Sequence, residues 1–491
     1  MHIDIRATDR LTGPKGLDLT PTLNALSASL REATIDLNRL RIVCDWLQYK
    51  QNFREPLAIR HILPSALESG TRHAHELAID LRRTGSMDLT AEFANALNPV
   101  IPHNALDGRQ YLEDWAPGSA SCIWDFNGLY WGALGLWEQA TGREYEQALP
   151  GGETDAKNTE AADELILELF KVWDGLAARK ALPEDLYVLE LGVGNGNQAK
   201  VWLDEFRRLD REHGGDYYRR LHYLMGDYSA HVLDRARENV KQHAEHVSGL
   251  VLDARYPSKT LGFLRSKAFL IYISNVYDNL PTDELVRIGG HLYQVEVRAY
   301  LSAAQVTAIA EEFGISPTDL PAMVRRLLDL HPEVLARSEK QQFPGGVMQV
   351  VEFWRKVWDA VRLEERYAPI EELDTYELTP GISGEMLRPV VEANGDLRMH
   401  TSNGAATSFI DSLALLHPFG FLQCHDIFVT SIEQYQMGFR GPGKYDGSVV
   451  NWVNGPLLAT LCKRKGFEAR ISPFQHRSGS NIMTLTARVA E

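Results

Sequence analysis

Residues 186–199 read Leu-Tyr-Val-Leu-Glu-Leu-Gly-Val-Gly-Asn-Gly-Asn-Gln-Ala, an apolar run that leads into three alternating glycines. The run predicts a buried strand, and the sequence after it places Ala199, Trp202 and Phe206 on one face of a helix. Glycines are needed where the backbone takes unusual dihedral angles or lets a ligand lie against it. The carboxyl end of such a strand is also where open α/β sheets bind nucleotides. The stretch therefore predicts a ligand-binding strand, loop and helix.

Further strand-like runs alternate with helical sequence on the carboxyl side of this stretch. They are LHYLMGD, GLVLDA and KAFLIYIS, and after an interruption GFLQCHDIFV, FEARISPF and NIMTLTARV. Alternation of short apolar strands with helices is typical of a parallel sheet with crossover helices. The sequence therefore predicts a doubly wound α/β sheet that ends in an antiparallel hairpin.

The same pattern divides the chain into four segments. Residues 1–165 are predicted to be an N-terminal helical domain with an aromatic-rich segment, because leucines recur at helical spacing. Residues 166–300 and 404–491 are predicted to be the two parts of the α/β core. Residues 301–403 are predicted to be a mixed insertion of helices and a hairpin, with the Asn-Gly pair at 394 as its turn.

Composition limits the classes of function. Of the 491 residues 44% are hydrophobic and 24% are charged, which is normal for a globular protein with a core. A net charge of −15 without a basic run disfavours a nucleic-acid partner. Four cysteines without a CxxC pair, and histidines without ligand spacing, predict no metal site and fit a reducing cytosol. With no apolar stretch of signal-peptide or membrane-span type, we expect a cytoplasmic protein without a membrane partner, compatible with a homodimer.

The glycine turn alone does not identify the ligand. Gly194, Gly196 and Ala199 match the dinucleotide fingerprint, so an NAD or FAD site and a purely structural turn stay open. Glu190, immediately before the turn, would repel a pyrophosphate. Asp227, at the end of the second strand, follows Gly196 by 31 residues, whereas NAD sites place an acid after about 20. Both features favour S-adenosylmethionine, whose methionine ammonium Glu190 would meet.

Acids at the next strand ends extend this prediction. Asp227 is predicted to accept hydrogen bonds from the ribose hydroxyls, and Asp253, which ends the third strand, from the adenine amino group. The alternatives are a helix cap beside Ser229 for the first acid and an ordinary strand-end turn for the second. The residues that follow these acids, and the glycines of the loop, complete the predicted cofactor site: Tyr228, Ala254, Gly192, Gly194 and Gly196.

Residues after the fourth strand supply the predicted catalytic groups. Asn275 can accept a hydrogen bond from an acceptor N–H, Tyr277 can provide an aromatic wall, and Asp278 can orient a cation or act as base. Methyl transfer is an in-line displacement on an activated donor, so the protein mainly has to align the acceptor and remove its proton. The alternative is a polar helix N-terminus with Asp278 near the cap.

A glycine-punctuated loop and an aromatic stretch are predicted to face the substrate. Arg440 and Lys444 could bind a carboxylate, and Asp446 lies in the same loop, where it could instead cap the following helix. Tyr130 and Trp131 are predicted to line or cover the pocket. The alternatives are an ordinary ordered loop and packing of the aromatic stretch against the main domain.

These motifs resemble those of the MidA-like family, which includes a mitochondrial complex I assembly arginine methyltransferase. The first-strand motif of the family, E-x-G-P-G-x-G, is matched by Glu190, Gly192, Gly194 and Gly196, with Val193 in place of the proline. The acid and serine that end its second strand are matched by Asp227 and Ser229. The D-x-L-P after its fourth strand is matched by Asp278, Leu280 and Pro281.

The resemblance implies the class I methyltransferase fold, with S-adenosyl-L-methionine as cofactor and S-adenosyl-L-homocysteine as product. Ser274 and Asn275 stand where the family has Asn-Glu, so the carboxylate that would meet a guanidinium is missing. Arginine specificity therefore does not carry over unless Asp278 or Glu296 substitutes for that carboxylate. The predicted function is methylation of a nitrogen or oxygen on a protein side chain or small molecule. The alternatives are a non-catalytic S-adenosylmethionine-binding assembly or scaffold protein and an NAD-dependent oxidoreductase.

Overall fold

The computed structural model of the protein describes residues 2–6, 16–33, 35–65, 74–84, 89–97, 108–145, 159–438, 441–476 and 481–490. The chain divides into two compact units, each built from three separate stretches. Unit 1 comprises Met1–Asn127, Pro281–Thr401 and Ser431–Trp452, and unit 2 comprises Gly128–Leu280, Ser402–Thr430 and Val453–Glu491. Within the described ranges, no helix is both long and apolar enough to pass through a bilayer.

Unit 2 contains a sheet of seven described strands. In chain order they are β1 Leu186–Leu191, β2 Leu221–Asp227, β3 Val247–Val251, β4 Ala268–Ser274, β5 Leu416–Asp426, β6 Phe467–Pro473 and β7 Met483–Val489. Across the sheet the order is β3–β2–β1–β4–β5–β7–β6, in which β7 is antiparallel to both its neighbours and the other pairs are parallel. The chain direction across the sheet reverses between β1 and β4, where open α/β sheets bind ligands.

The central strands of this sheet form because they are apolar on both faces. Val188, Leu189 and Leu191 of β1 are fully buried, as are Phe269 and Ile271 of β4. Such continuous apolar runs are typical of parallel strands covered by helices on both sides. The strand order and its antiparallel hairpin are those of the class I methyltransferase fold, so the predicted fold class is confirmed.

Helices connect and cover these strands. The longer helices of unit 2 are α1 Leu134–Thr141, α2 Thr159–Ala178, α3 Asn197–His213, α4 Ala230–Asn239, α5 Pro257–Leu261, α6 Asn403–Leu413 and α7 Gly455–Arg464. Trp173 of α2, Trp202 and Phe206 of α3, and Tyr223 of β2 belong to one buried cluster. The indole ring of Trp202 lies 5.1 Å from the ring of Tyr223, measured between centroids, which fixes α3 and the loop before it against the sheet.

Unit 1 contains a mixed sheet of ten described strands: His2–Ile5, Leu40–Asp45, Leu57–Ile62, His75–Asp80, Gln110–Tyr111, Ala116–Pro117, Glu284–Ile288, His291–Leu301, Arg362–Pro369 and Leu397–His400. Its longer helices are Thr20–Glu32, Leu89–Leu97, Ala303–Phe313, Leu320–Ser338 and Val347–Ala360, and the helix Ile123–Gly132 begins in it. Residues 281–300 and 431–452, which the sequence assigned to the α/β core, lie in this unit.

The prediction of an N-terminal helical domain is wrong between residues 40 and 80. Helical leucine spacing is realised in Thr20–Glu32, whereas Leu40–Asp45, Leu57–Ile62 and His75–Asp80 are strands. Every residue of Leu40–Asp45 is buried, so the run is covered on both faces and shows no period-two alternation. A short run of this kind cannot be distinguished from a buried helix by periodicity.

In the segment predicted to be an insertion the structure has helices, and the predicted hairpin is wrong. The Asn-Gly pair at 394 separates the short helix Arg388–Ala393 from the strand Leu397–His400, which pairs with Glu284–Ile288. The hairpin turn lies instead at Gly289 and Gly290, which have φ values of 57° and 93°. Glycine adopts this left-handed backbone at little cost, so the Gly-Gly pair was the better turn signal.

Buried ion pairs cross one region of the sheet of unit 1. The Arg60 guanidinium lies 2.7 Å from Glu76 and 2.5 Å from Glu365, and Arg398 lies 2.9 Å from Glu365 and 2.5 Å from Glu284. All five side chains are less than 10% exposed. Removing one member of such a network leaves an uncompensated buried charge, so the network holds these strands in one register.

Candidate functional site

The three glycines at the end of β1 adopt a backbone that other residues rarely take. Gly192, Gly194 and Gly196 have φ values of 75°, 57° and 81°. A Cβ atom at residue 192 would lie 2.3 Å from a methyl carbon of Val276, and one at residue 196 would lie 2.8 Å from the Cα of Ala236. The glycines are therefore required both by conformation and by the closeness of neighbouring backbone and side chains.

Most amides of this loop donate hydrogen bonds inside the fold. The N–H groups of Gly192 and Val193 donate to the carbonyl of Gly226, at 2.7 and 3.2 Å, and that of Gly196 donates to the carbonyl of Val193. The amide of Gly194 donates to the Asp227 carboxylate at 3.2 Å. A loop that cradles a pyrophosphate needs amides that point at the phosphate oxygens. Here those amides are already used.

Glu190 is buried directly before the glycine loop. Its side chain is 3% exposed and accepts a hydrogen bond from the Tyr223 hydroxyl at 2.6 Å. Burial raises the pKa of Glu190 to about 8, although the Tyr223 hydrogen bond opposes this shift. None of the described basic side chains forms an ion pair with it. The carboxyl group is therefore largely protonated near neutral pH and would gain from a cation placed beside it.

Asp227 joins the ends of β1 and β2. One carboxylate oxygen accepts from Gly194 and the other from the backbone N–H of Ser229 at 3.0 Å. Burial raises the pKa of Asp227 to about 6, even though these amides stabilise its charged form. The cap of α4 is the Ser229 hydroxyl, which accepts from Val232, so Asp227 is not the helix cap. Tyr228, next to it, is 51% exposed.

Asp253 lies just beyond the end of β3, as expected. Its carboxylate is paired with the Arg255 guanidinium, with the closest atoms 2.8 Å apart. The carbonyl of the next residue, Ala254, accepts a hydrogen bond from the Ser408 hydroxyl. The structure thus brings the strand-end acids Asp227 and Asp253 to the same edge of unit 2. Contact of Asp253 with adenine stays a prediction.

The residues after β4 form a tight turn that is held by β5. Asn275 has a φ of 52°, and its N–H donates to the carbonyl of His425 at 2.9 Å. Tyr277–Asn279 is a short 3-10 helix, so Asp278 lies inside it and does not cap a longer helix. The N–H groups of Tyr277 and Asp278 donate to one carboxylate oxygen of Asp426, at 2.8 and 3.3 Å.

Asp426, at the end of β5, is a site residue that the sequence reasoning missed. It is fully buried, and its second oxygen accepts from the N–H of Ile427 at 2.7 Å. These amides favour the charged form, yet burial still raises the pKa of Asp426 to about 6. Burial and the neighbouring Asp426 raise the pKa of Asp278 well above its usual value. The two carboxyl groups therefore share one proton near neutral pH.

The predicted substrate role of Lys444 is wrong. Lys444 lies in unit 1 on a hairpin, and its ammonium donates to the backbone carbonyls of Trp358, Asp359 and Val361 at the end of the helix Val347–Ala360. Burial lowers its pKa well below the usual value. A buried ammonium held by three carbonyls stabilises the negative end of the helix and is not presented to a substrate carboxylate.

The remaining predicted substrate residues lie in different places. Asp446 is at the turn of the same unit 1 hairpin, with a φ of 50°, and its carbonyl accepts from the Trp358 indole at 2.7 Å. Arg440 lies outside the described residues. In unit 2, Tyr130 is 2% exposed and packs edge-on against Trp131, with ring centroids 4.9 Å apart. Packing therefore accounts for Tyr130, while Trp131 is only half-buried.

The strand order and the glycine loop identify a protein of the class I methyltransferase fold. No family model and no curated protein matches the chain. Similar solved structures from Burkholderia thailandensis include a protein bound to S-adenosyl-homocysteine, 13% identical with a TM-score of 0.46 over 76% of this chain and 88% of that one. An uncharacterized protein is 12% identical, with a TM-score of 0.43 over 76% and 87%. 1,6-Didemethyltoxoflavin-N1-methyltransferase is 10% identical, with a TM-score of 0.27 over 66% and 79%.

The buried Glu190 carboxyl makes stability depend on pH. Its pKa is raised from 4.5 to about 8, so between these values the folded protein holds a proton that the unfolded chain has lost. Stability therefore falls as the pH rises through this window. We expect Glu190→Gln, which does not titrate, to gain thermal stability relative to the wild type from pH 5 to pH 8. Differential scanning calorimetry measures the melting temperature across this pH range, with the exposed Glu184→Gln as control. The same dependence of melting temperature on pH in the wild type and in Glu190→Gln would contradict the prediction.

Proposed function

We propose that the protein is an S-adenosylmethionine-dependent methyltransferase that acts on a nitrogen or oxygen of a protein side chain or small molecule. The observation that carries this proposal is the Glu190 carboxyl group, buried beneath the glycine loop with no cation paired to it among the described residues. The methionine end of S-adenosylmethionine supplies a cation of the right kind, its ammonium group, which would stabilise the ionised carboxylate. The MidA-like motifs support the same cofactor.

A dinucleotide fits this site poorly. Its pyrophosphate would place negative charge next to the buried Glu190 and the half-buried Asp227, and so would oppose the ionisation of both carboxyl groups. The amides that would neutralise a phosphate already donate to the Gly226 carbonyl and to Asp227. A cationic ligand instead lowers the cost of ionising both carboxyl groups. This difference favours S-adenosylmethionine over NAD.

The strand ends of unit 2 provide the remaining cofactor contacts. Glu190 would meet the methionine ammonium, Asp227 the ribose hydroxyls, and the segment Asp253-Ala254 the adenine amino group, while Tyr228 offers an exposed ring beside them. The bound cofactor supplies a methyl group on a sulfonium, which needs no further activation. The work left to the protein is to align the acceptor and to take its proton.

The carboxyl pair Asp278 and Asp426 is suited to take that proton. When bound, the cofactor would supply the methyl group and leave as the neutral thioether, and the acceptor nitrogen or oxygen would lose one proton. The proton lost by the acceptor passes to the pair, which holds one proton near neutral pH and has room for a second. Asn275, on the turn that joins the pair to β4, can orient the acceptor by a hydrogen bond.

The four cysteines support a reducing compartment for this activity. Cys44, Cys122, Cys424 and Cys462 are all free thiols and all buried. Free thiols are usual in the cytosol, whereas disulfides form in secreted proteins. We therefore include a cytoplasmic location in the proposal.

Calorimetric titration tests the cofactor. We expect micromolar binding of S-adenosylhomocysteine and S-adenosylmethionine, and no binding of NAD. Glu190→Gln should weaken S-adenosylhomocysteine binding by about 10-fold to 100-fold, because it removes a charge-assisted hydrogen bond to the ammonium. The control is Glu184→Gln, because Glu184 is exposed and lies just before β1; this variant should bind both ligands as the wild type does. Binding of NAD in place of S-adenosylhomocysteine would overturn the proposal.

Transfer of a labelled methyl group tests catalysis. With S-[methyl-³H]adenosylmethionine and fractionated cell extract, we expect label to enter an acceptor, and we expect Asp278→Asn to lower that rate by about 100-fold or more while leaving S-adenosylhomocysteine affinity unchanged. Cofactor binding without incorporation in any fraction would favour the non-catalytic scaffold instead. Full incorporation with Asp278→Asn would remove the carboxyl pair from the mechanism.

A further inference from the structure

The segment that contains α1 is fastened to α4. The Arg235 guanidinium of α4 pairs with the Glu138 carboxylate at 2.8 Å and with the Glu144 carboxylate at 3.2 Å. The other oxygen of Glu138 accepts the backbone N–H of Tyr145 at 3.0 Å. Arg235 therefore holds Glu138 and Glu144 in place, and through them it fixes the backbone position of Tyr145.

Tyr145 extends from this segment onto the glycine loop. A Cβ atom at residue 194 would lie 2.5 Å from the Tyr145 hydroxyl oxygen, so this oxygen lies against the Cα of Gly194. The ring of Tyr145 packs edge-on against Trp131, with centroids 5.8 Å apart. The absence of a side chain at residue 194 thus makes room for a hydroxyl group directly over the loop.

The amino-acid end of the proposed cofactor carries an ammonium and a carboxylate, and Glu190 would bind only the ammonium. The carboxylate needs a donor, and the amides of Gly192, Val193, Gly194 and Gly196 all donate inside the fold. The amide of residue 197 donates to the side chain of Asn195. These five amides are therefore taken, and the Tyr145 hydroxyl over Gly194 lies where a side-chain donor can serve the carboxylate.

We propose that Tyr145 is a cofactor-binding residue whose hydroxyl donates a hydrogen bond to the carboxylate of the methionine moiety, and that Arg235 positions it. This assignment rests on the proposed function. Glu190, directly before the loop, then binds the ammonium, and the Tyr145 hydroxyl against Gly194 binds the carboxylate. Nothing in the local sequence around residue 145 signals this role, because it depends on how α1 is tied to α4.

Three ligands separate the two contacts by calorimetry on the full chain. They are S-adenosylhomocysteine, its decarboxylated analogue, which keeps the amine, and methylthioadenosine, which lacks both groups. We expect Tyr145→Phe to lower the affinity for S-adenosylhomocysteine by about tenfold, and the affinity for the other two ligands by less than about twofold. Glu190→Gln should weaken S-adenosylhomocysteine and the decarboxylated analogue, and leave methylthioadenosine unchanged.

The matched control is Tyr187→Phe. The Tyr187 hydroxyl bonds to Asp185 near the start of β1, so its loss should change none of the three affinities. Unchanged S-adenosylhomocysteine affinity in Tyr145→Phe would overturn the assignment. An equal loss for all three ligands would overturn it as well, since that pattern indicates packing and no specific carboxylate contact. Failure of the wild type to bind any of the three would refute the proposed function, and the assignment with it.

Discussion

Removing the Glu190 carboxyl group from water is the constraint on which the ligand site depends. A buried carboxylate without a paired cation is costly, and the group avoids this cost by keeping its proton. The three glycines after it have a left-handed backbone and no side chains, so a ligand can come close to the carboxyl group. A cation that binds there stabilises the ionised form of Glu190, so the site favours positively charged ligands.

The strand order turns this local feature into a two-part site. β1 and β2 carry the acids that suit a cofactor at their carboxyl ends, whereas the carboxyl pair that suits proton transfer comes from the end of β5 and the turn after β4. Because β1 and β4 are neighbours in the sheet, both parts lie at the carboxyl ends of adjacent parallel strands. The antiparallel β7 closes the far side of β5 and leaves this arrangement undisturbed.

Features that depend on short stretches of sequence were predictable, and features that depend on distant partners were not. The strand, glycine loop and helix at 186–213 follow from local apolar pattern and glycine conformation. Asp426 was missed because its role requires β5 beside β4, and its partner Asp278 is 148 residues away in sequence. An acid that ends an apolar strand was a usable signal there too. Lys444 was misassigned because its partners are backbone carbonyls at a helix end.

Proton release on cofactor binding is the measurement that tests the central claim most directly. Titration of the protein with S-adenosylhomocysteine at pH 7, in buffers of different ionisation enthalpy, gives the number of protons released. If the ammonium ionises Glu190, the wild type should release close to one proton (~1) and Glu190→Gln almost none. Equal release by the two proteins, or binding without release, would show that Glu190 does not receive the cation and would contradict this account.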